Sequence, residues 1–143
     1  MTDIGTQQRS SQLEGSKLVL VVERDSHTRE LVAHFLRGMG LTVEFVSDGV
    51  AALEATRRRL PELVITEVLV PKLDGLALCR HIKGSQDTRE TAVLIISILA
   101  SSARARDAGA DAFLLKPLSE DRLIGAVRSL LREDAQLRQK EGA

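Results

Sequence analysis

The chain has 143 residues, which suits one domain with a single hydrophobic core and leaves no room for a second domain of ordinary size. Its 20 Lys and Arg residues balance 20 Asp and Glu residues, so no overall field favours nucleic acid or an anionic membrane. No apolar run approaches the ~20 residues of a membrane helix, and the single cysteine, Cys79, excludes an internal disulfide. We therefore expect a cytoplasmic protein without direct contacts to nucleic acid or membrane.

The composition divides the chain into three parts. Residues 1–16 are rich in Ser, Gln, Thr and Gly, and their aliphatic residues, Ile4 and Leu13, are isolated. Such a segment buries too little apolar surface to offset the entropy of the chain. The sequence predicts a disordered leader over residues 1–16, a folded domain over 17–132 and a charged C-terminal tail over 133–143.

From Lys17 onward, short apolar runs alternate with longer amphipathic stretches, a pattern typical of strand and helix units in a parallel sheet. The predicted strands are Leu18–Val22, Thr42–Val46, Leu63–Thr66, Val93–Ser97 and Ala112–Leu115. Four are continuous apolar runs, as in strands buried on both faces, whereas Thr42–Val46 alternates and carries a charge, as an edge strand does. We expect an α/β fold of the flavodoxin-like (βα)5 type, with strand order 2-1-3-4-5.

Apolar residues at three- and four-residue steps predict helices between these strands. The predicted helices cover residues 27–39, 49–59, 75–84 and 119–132. Ser119 is the predicted N-cap of the last helix, because Glu120 and Asp121 follow it in the first turn, where the helix dipole favours negative charge.

In doubly wound sheets, functional sites lie beyond the carboxyl ends of the strands. The polar residues at these ends are Glu23, Arg24 and Asp25 after the first strand, Glu67 after the third, Ser97 after the fourth and Lys116 after the fifth. These residues are the candidate site.

The segment Pro61–Gly75 resembles the strand and loop around the phosphate-accepting aspartate of response regulator receiver domains. The segment Gly109–Pro117 resembles the same family, and the resemblance extends over about residues 17–131. It rests on the acidic cluster at residues 23–25 together with Glu67, the hydroxyl of Ser97, the aromatic ring of Phe113 and Lys116 followed by Pro117. The resemblance also implies a cis peptide bond between Lys116 and Pro117.

For such a family member, the resemblance implies an aspartate that attacks the phosphohistidine of a histidine kinase. Mg²⁺ held by two neighbouring acids screens the charge, the lysine pairs with a phosphoryl oxygen, and the hydroxyl and aromatic residues switch the surface of the fourth helix and fifth strand. The implied partners are a histidine kinase or a downstream effector, and a homodimer through helix 4, strand 5 and helix 5 is a further candidate. The stretch at 98–108 is about three residues shorter than usual, so this surface is altered.

Three residues depart from the family pattern at the centre of the chemistry. Glu23 keeps a carboxylate at the first acidic position but is one methylene longer than the usual aspartate. Glu67 stands where the aspartate is expected and moves the carboxylate outward by about 1.5 Å, and a misplacement of about 1 Å can cost on the order of a hundredfold in rate. Arg24 stands where the family has a metal ligand, but a guanidinium has no acceptor for Mg²⁺. The carboxylates left as candidate ligands are Glu23, Asp25 and Glu67.

Charge balance suggests a role for Arg24. We hypothesise that it supplies part of the charge of the metal and holds Glu67 in a network with Lys116, so that Glu67 resembles a permanently charged phosphoaspartate. In the alternative, Arg24 points into solvent and the site has decayed.

The resulting functional prediction is a stand-alone, atypical receiver that acts as a protein-interaction module in two-component or phosphorelay signalling. It is not an enzyme and needs no cofactor, with Mg²⁺ required only if the site is still active. One alternative is an active receiver that accepts phosphate on Glu67 or another residue. A remote alternative is a small flavodoxin-like enzyme that binds a nucleotide or flavin.

Overall fold

Five strands and five helices alternate along the chain in a computed structural model that describes residues 16–142, with side chains described for residues 16–131. In chain order the elements are β1 (Leu18–Val22), α1 (Ser26–Gly38), β2 (Thr42–Val46), α2 (Gly49–Arg59), β3 (Leu63–Glu67), α3 (Gly75–Gly84), β4 (Ala92–Ser97), α4 (Ser102–Asp107), β5 (Ala112–Leu115) and α5 (Glu120–Gly142). The predicted leader, apart from Ser16, lies outside the described residues. The backbone of α5 continues through most of the predicted tail.

All strands are parallel and follow the order β2-β1-β3-β4-β5, which confirms the predicted flavodoxin-like topology. The register places Val22 beside Val46 and Thr66, Glu67 beside Ile96, and Ser97 beside Leu115. The carboxyl ends of the strands therefore meet at one edge of the sheet, where the candidate residues were expected to converge.

The sheet carries a hydrophobic core on each face, because successive side chains of a strand point to opposite sides. On one face, Leu20 and Val64 belong to a cluster that includes residues of α2, α3 and α4. On the other face, Val21 and Ile65 pack in a cluster with residues of α1 and α5. The continuous apolar runs of β1, β3 and β4 are explained by this burial on both sides.

The prediction that β5 is buried on both faces is wrong. Residues 112–114 are half-buried and the side chain of Leu115 is 40% exposed. β5 is less buried because it is an edge strand, at the other end of the sheet from β2. Its neighbour α4 has only six residues, as the short stretch at 98–108 suggested.

Two glycines fix the loop between β3 and α3 at close range. The amide of Gly75 donates to the carbonyl of Val68 over 2.8 Å, and that of Gly49 donates to the carbonyl of Pro71 over 3.0 Å. A Cβ atom on Gly75 would overlap the carbonyl oxygen of Glu67, and one on Gly49 would overlap the carbonyl oxygen of Leu73. Only residues without a side chain allow the backbones to approach this closely.

Candidate functional site

The ammonium group of Lys116 lies between the carboxylates of Glu23 and Glu67. It forms an ion pair with Oε1 of Glu67, and its Nζ lies 3.4 Å from Oε1 of Glu23. The exposed fractions of the three side chains are 20% for Lys116, 12% for Glu67 and 8% for Glu23. The structure thus brings three predicted residues together in a place where water screens their charges only weakly.

The ends of the strands position these three side chains. Glu23 directly follows β1, and its amide donates to the carbonyl of Val46 at the end of β2. Glu67 is the last residue of β3. Lys116 directly follows β5, its amide donates to the carbonyl of Ser97 over 2.8 Å, and its peptide bond to Pro117 is cis, as expected.

Glu23 is held by further contacts that the sequence did not reveal. Its Oε2 accepts hydrogen bonds from the amides of Arg24 (3.0 Å) and Asp25 (3.3 Å). The guanidinium of Arg29 donates from Nε to the carbonyl of Glu23 and from Nη2 to Oγ of Ser47 over 2.7 Å, and it lies 5.4 Å from the ring centroid of Phe45. Arg29 therefore ties the ends of β1 and β2 together.

Sequence reasoning missed Arg29, although one signal could have found it. A cation near the N-terminus of a helix faces the positive end of the helix dipole, where it is disfavoured without a specific partner. Side chains on a helix also lean towards its N-terminus, which here points Arg29 back at the strand ends. The carbonyl of Glu23, the hydroxyl of Ser47 and the ring of Phe45 are the specific partners that such a cation needs.

The ionisation of Lys116 follows from its surroundings. Burial lowers the pKa of the ammonium, but the hydrogen bond to Glu67 and the negative charges of Glu67 and Glu23 act in the opposite direction and outweigh it. The pKa of Lys116 is therefore raised above its ordinary value, and the side chain is a cation at neutral pH.

Arg24 does not join this cluster. Its side chain is exposed, and it forms no ion pair within residues 16–131. The hypothesised pair with Glu67 is absent because Lys116 already bonds to that carboxylate, while the backbone amide of Arg24 faces Glu23. The two carboxylates and one ammonium leave one net negative charge, where sequence reasoning expected a neutral cluster.

Asp25 has a structural task at the start of α1. Its Oδ2 accepts hydrogen bonds from the amide and from the hydroxyl of Thr28, each over 2.8 Å, so it is the N-cap of the helix. The hydrogen bonds from Thr28 lower the pKa of this carboxyl group.

Ser97 lies at the end of β4, where its carbonyl accepts from the amide of Lys116, and Phe113 lies within β5. Ser97 is fully buried, and its Oγ accepts a hydrogen bond from the amide of Leu99 over 3.0 Å. Phe113 is half-buried and packs against the core on the face of α2, α3 and α4. The hydrogen bond of Ser97 to nearby backbone is common for a serine at the end of a strand. The contacts of Phe113 are ordinary core packing.

The oxygen donors around Lys116 do not fit a Mg²⁺ site. Magnesium requires a near-ideal octahedron of oxygen ligands, whereas Glu23 and Glu67 bond to an ammonium group and Asp25 bonds to Thr28. Among the residues that the structure describes, no three His, Cys, Asp or Glu side chains are grouped so that they could hold a metal ion. In the same part of the chain, no helix combines the length and apolar character of a membrane span.

Comparisons with known proteins agree with this fold. The family model for the response regulator receiver domain matches residues 19–128. The response regulator MprA of Mycobacterium leprae is 37% identical over 115 residues, a stretch that covers 80% of this chain and 50% of the relative. The chain thus spans about half the length of the curated relatives that it matches.

Solved structures give the same result. The receiver domain of a signal transduction histidine kinase from Syntrophus aciditrophicus is 34% identical, with a TM-score of 0.77 and coverage of 82% of this chain and 92% of that one. A sensor histidine kinase receiver from Pseudomonas aeruginosa, with magnesium coordinated in its active-site cleft, is similar in fold at 21% identity and a TM-score of 0.74, covering 82% and 98% of the two chains. The extent of the family match, supported by the topology of the sheet, establishes that this chain belongs to the response regulator receiver domain family.

Proposed function

We propose that this receiver domain acts in two-component signalling as a protein-interaction module and accepts no phosphoryl group on Glu67. The observation that carries the proposal is the position of the Lys116 ammonium, which pairs with Glu67 and also contacts Glu23. In this arrangement the carboxylate at the acceptor position is one partner of a largely buried ion pair. The proposed role is recognition, without enzymatic turnover and without a bound cofactor.

The geometry of Glu67 supports this proposal. Phosphoryl transfer depends almost entirely on positioning and on electrostatic stabilisation. The extra methylene of glutamate shifts the carboxylate by about 1.5 Å, and a shift of about 1 Å can reduce such a rate on the order of a hundredfold. An attack by Glu67 would also have to break its ion pair with Lys116.

The charge of the cluster supports it too. Glu23, Glu67 and Lys116 together carry one net negative charge, and the exposed Arg24 side chain lies outside their ion-pair network. A phosphoryl donor is itself an anion, so it is repelled by this cluster unless a cation intervenes. Three of the four carboxylate oxygens of Glu23 and Glu67 already have ion-pair or hydrogen-bond partners.

The proposed partners are other signalling proteins, either a histidine kinase or a downstream effector, and the proposed location is the cytoplasm. Both proposals rest on membership of the receiver family. Capture of a two-component protein by the immobilised chain from a native lysate, followed by direct binding of the purified pair without phosphate donor or Mg²⁺, tests this part.

Phosphorylation is tested by incubating the purified chain with acetyl phosphate and Mg²⁺ and measuring its intact mass. We expect no added phosphoryl group on the unmodified chain. The double variant Arg24→Asp/Glu67→Asp puts back the acids of the family pattern at residues 24 and 67. We expect this variant to gain one phosphoryl group. A receiver that has aspartate at the position of Glu67 controls for the reagent, and a Mg²⁺-dependent gain on the unmodified chain would overturn the proposal.

A further inference from the structure

We infer that Lys116 is the resident cation of this site and excludes divalent metal ions, so that the domain keeps one arrangement of its strand ends whether or not Mg²⁺ is present. The inference deepens the proposed function and rests on it for its meaning in signalling. The metal-binding measurements test the inference independently of the proposed function.

The ammonium group of Lys116 lies where three strand ends meet. It bridges Glu23 at the end of β1 and Glu67 at the end of β3, and its own residue follows β5. A single side chain therefore links three strands, and β5 is separated from β3 by β4 in the sheet. A metal ion that bridges acids from different strands would provide the same kind of link.

Three of the four carboxylate oxygens of Glu23 and Glu67 already have partners. Oε1 of Glu23 contacts Lys116, while Oε2 of the same residue accepts from two backbone amides. Oε1 of Glu67 pairs with Lys116. A hydrated Mg²⁺ ion gives up water reluctantly, and here it would also have to displace charge-assisted hydrogen bonds, which are the stronger kind.

The charge of the cluster also opposes a divalent ion. With Lys116 in place the cluster has one net negative charge, and a divalent ion added beside the ammonium would reverse it to one net positive charge. The ammonium group and a divalent ion bound to the same carboxylates would repel each other strongly in a largely buried site. Arg24 adds a further cation next to Glu23 in the sequence, where the family pattern places an acid. Lys116 in its observed position therefore opposes the binding of a divalent ion.

The probe for this inference is Mn²⁺ alone, whose free concentration is read by electron paramagnetic resonance. We expect no saturable binding to the unmodified chain at millimolar Mn²⁺, and the same melting temperature in EDTA and in Mg²⁺. The variant Arg24→Asp/Lys116→Met combines the missing acid with removal of the ammonium, and we expect it to bind Mn²⁺ at least about tenfold more tightly than Arg24→Asp alone, a factor that equals about 1.4 kcal/mol.

Lys72→Met in the Arg24→Asp background is the matched control. Lys72 lies in the loop after β3, and its ion pair is with Asp48 at 3.8 Å, so this change removes the same charge without touching Glu23 or Glu67. We expect its affinity for Mn²⁺ to stay within about twofold of Arg24→Asp, because exposed charges act weakly at a distance.

Two results would overturn the inference. One is saturable Mn²⁺ binding by the unmodified chain with a rise in melting temperature. The other is equal affinity of Arg24→Asp with and without Lys116→Met. If the double variant does not fold, the titration of the unmodified chain decides alone. Metal binding without phosphorylation would reject this inference and keep the proposed function, whereas phosphorylation without metal binding would do the reverse.

Discussion

Lys116 reaches over the end of β4 to pair with Glu67, the last residue of a strand two positions away in the sheet. The same ammonium group also contacts Glu23. Glu67 and Lys116, which the family resemblance associates with phosphate chemistry, thus form an ion pair with each other.

Removing the ammonium tests its contribution to stability. We predict that Lys116→Met lowers the free energy of unfolding by about 2 kcal/mol at neutral pH, because two largely buried carboxylates lose their cation. Urea denaturation measures the change. Lys72→Met removes an exposed lysine from the nearby loop and should change the free energy by less than about 0.5 kcal/mol. Equal losses in the two variants would contradict the prediction.

The dependence of stability on alkaline pH follows from the raised pKa of Lys116. A lysine whose pKa is higher in the folded state stabilises the fold fully below its unfolded pKa of about 10.4, and this contribution is lost as the pH rises through the folded value. We predict a steeper loss of stability above about pH 10 in the unmodified chain than in Glu67→Gln, measured by denaturation across pH 8 to 11. Parallel curves would count against the ion pair as the cause.

The close approach of Gly75 to Glu67 predicts opposite effects of alanine at two glycines. In Gly75→Ala, the new Cβ overlaps the carbonyl oxygen of Glu67, and we expect a loss of about 2 kcal/mol or more. In Gly125→Ala, on an exposed part of α5, the new Cβ meets no atom within 4 Å, and we expect a gain of about 0.5 to 1 kcal/mol from helix propensity. Thermal or urea denaturation of the two variants provides the comparison, and a neutral Gly75→Ala would contradict the packing.

Cys79 is predicted to be unreactive in the folded chain. It is fully buried, and burial raises the pKa of its thiol to about 11, so almost no reactive thiolate forms at neutral pH. A coloured thiol reagent at pH 8 should label the protein rapidly in denaturant and at least about a hundredfold more slowly without it. Similar labelling rates in both conditions would show that the site opens readily.

A homodimer through α4, β5 and α5 remains a prediction. The exposed side chain of Leu115, on the outer strand, lies on this face. If the dimer forms there, Leu115→Glu should be monomeric by size exclusion with light scattering, because it places a charge in an apolar contact. Val50 is exposed to a similar extent on α2, so Val50→Glu should leave the dimer intact. A dimer that persists in Leu115→Glu would place the interface elsewhere.

The fold could be predicted closely because each strand is marked by its own pattern. Three of the five strands have the predicted bounds, and β3 and β4 are each one residue longer. Burial of β5 was predicted wrongly, because its apolar run was taken as a sign of burial on both faces. The predicted strand order, which the structure confirms, already places β5 at an edge.

The site could be predicted in part. Glu23, Glu67 and Lys116 converge as expected, because the carboxyl ends of parallel strands meet at one edge. Which cation pairs with Glu67 could not be read from the sequence. The direction of the Arg24 side chain depends on how the Glu23 carboxylate folds back onto two backbone amides, and this is a feature of the local three-dimensional geometry.

The two glycines at the loop after β3 also bear on where new sequence could be inserted. Backbone contacts from Gly49 and Gly75 hold residues 68–74 from two helices, so an insertion there would separate packed main chains. Residues 98–100, after β4, are instead exposed. Exposed loop tips accept insertions best. A peptide or reporter introduced at residues 98–100 should therefore preserve the fold, whereas the same graft at residues 69–73 should abolish it.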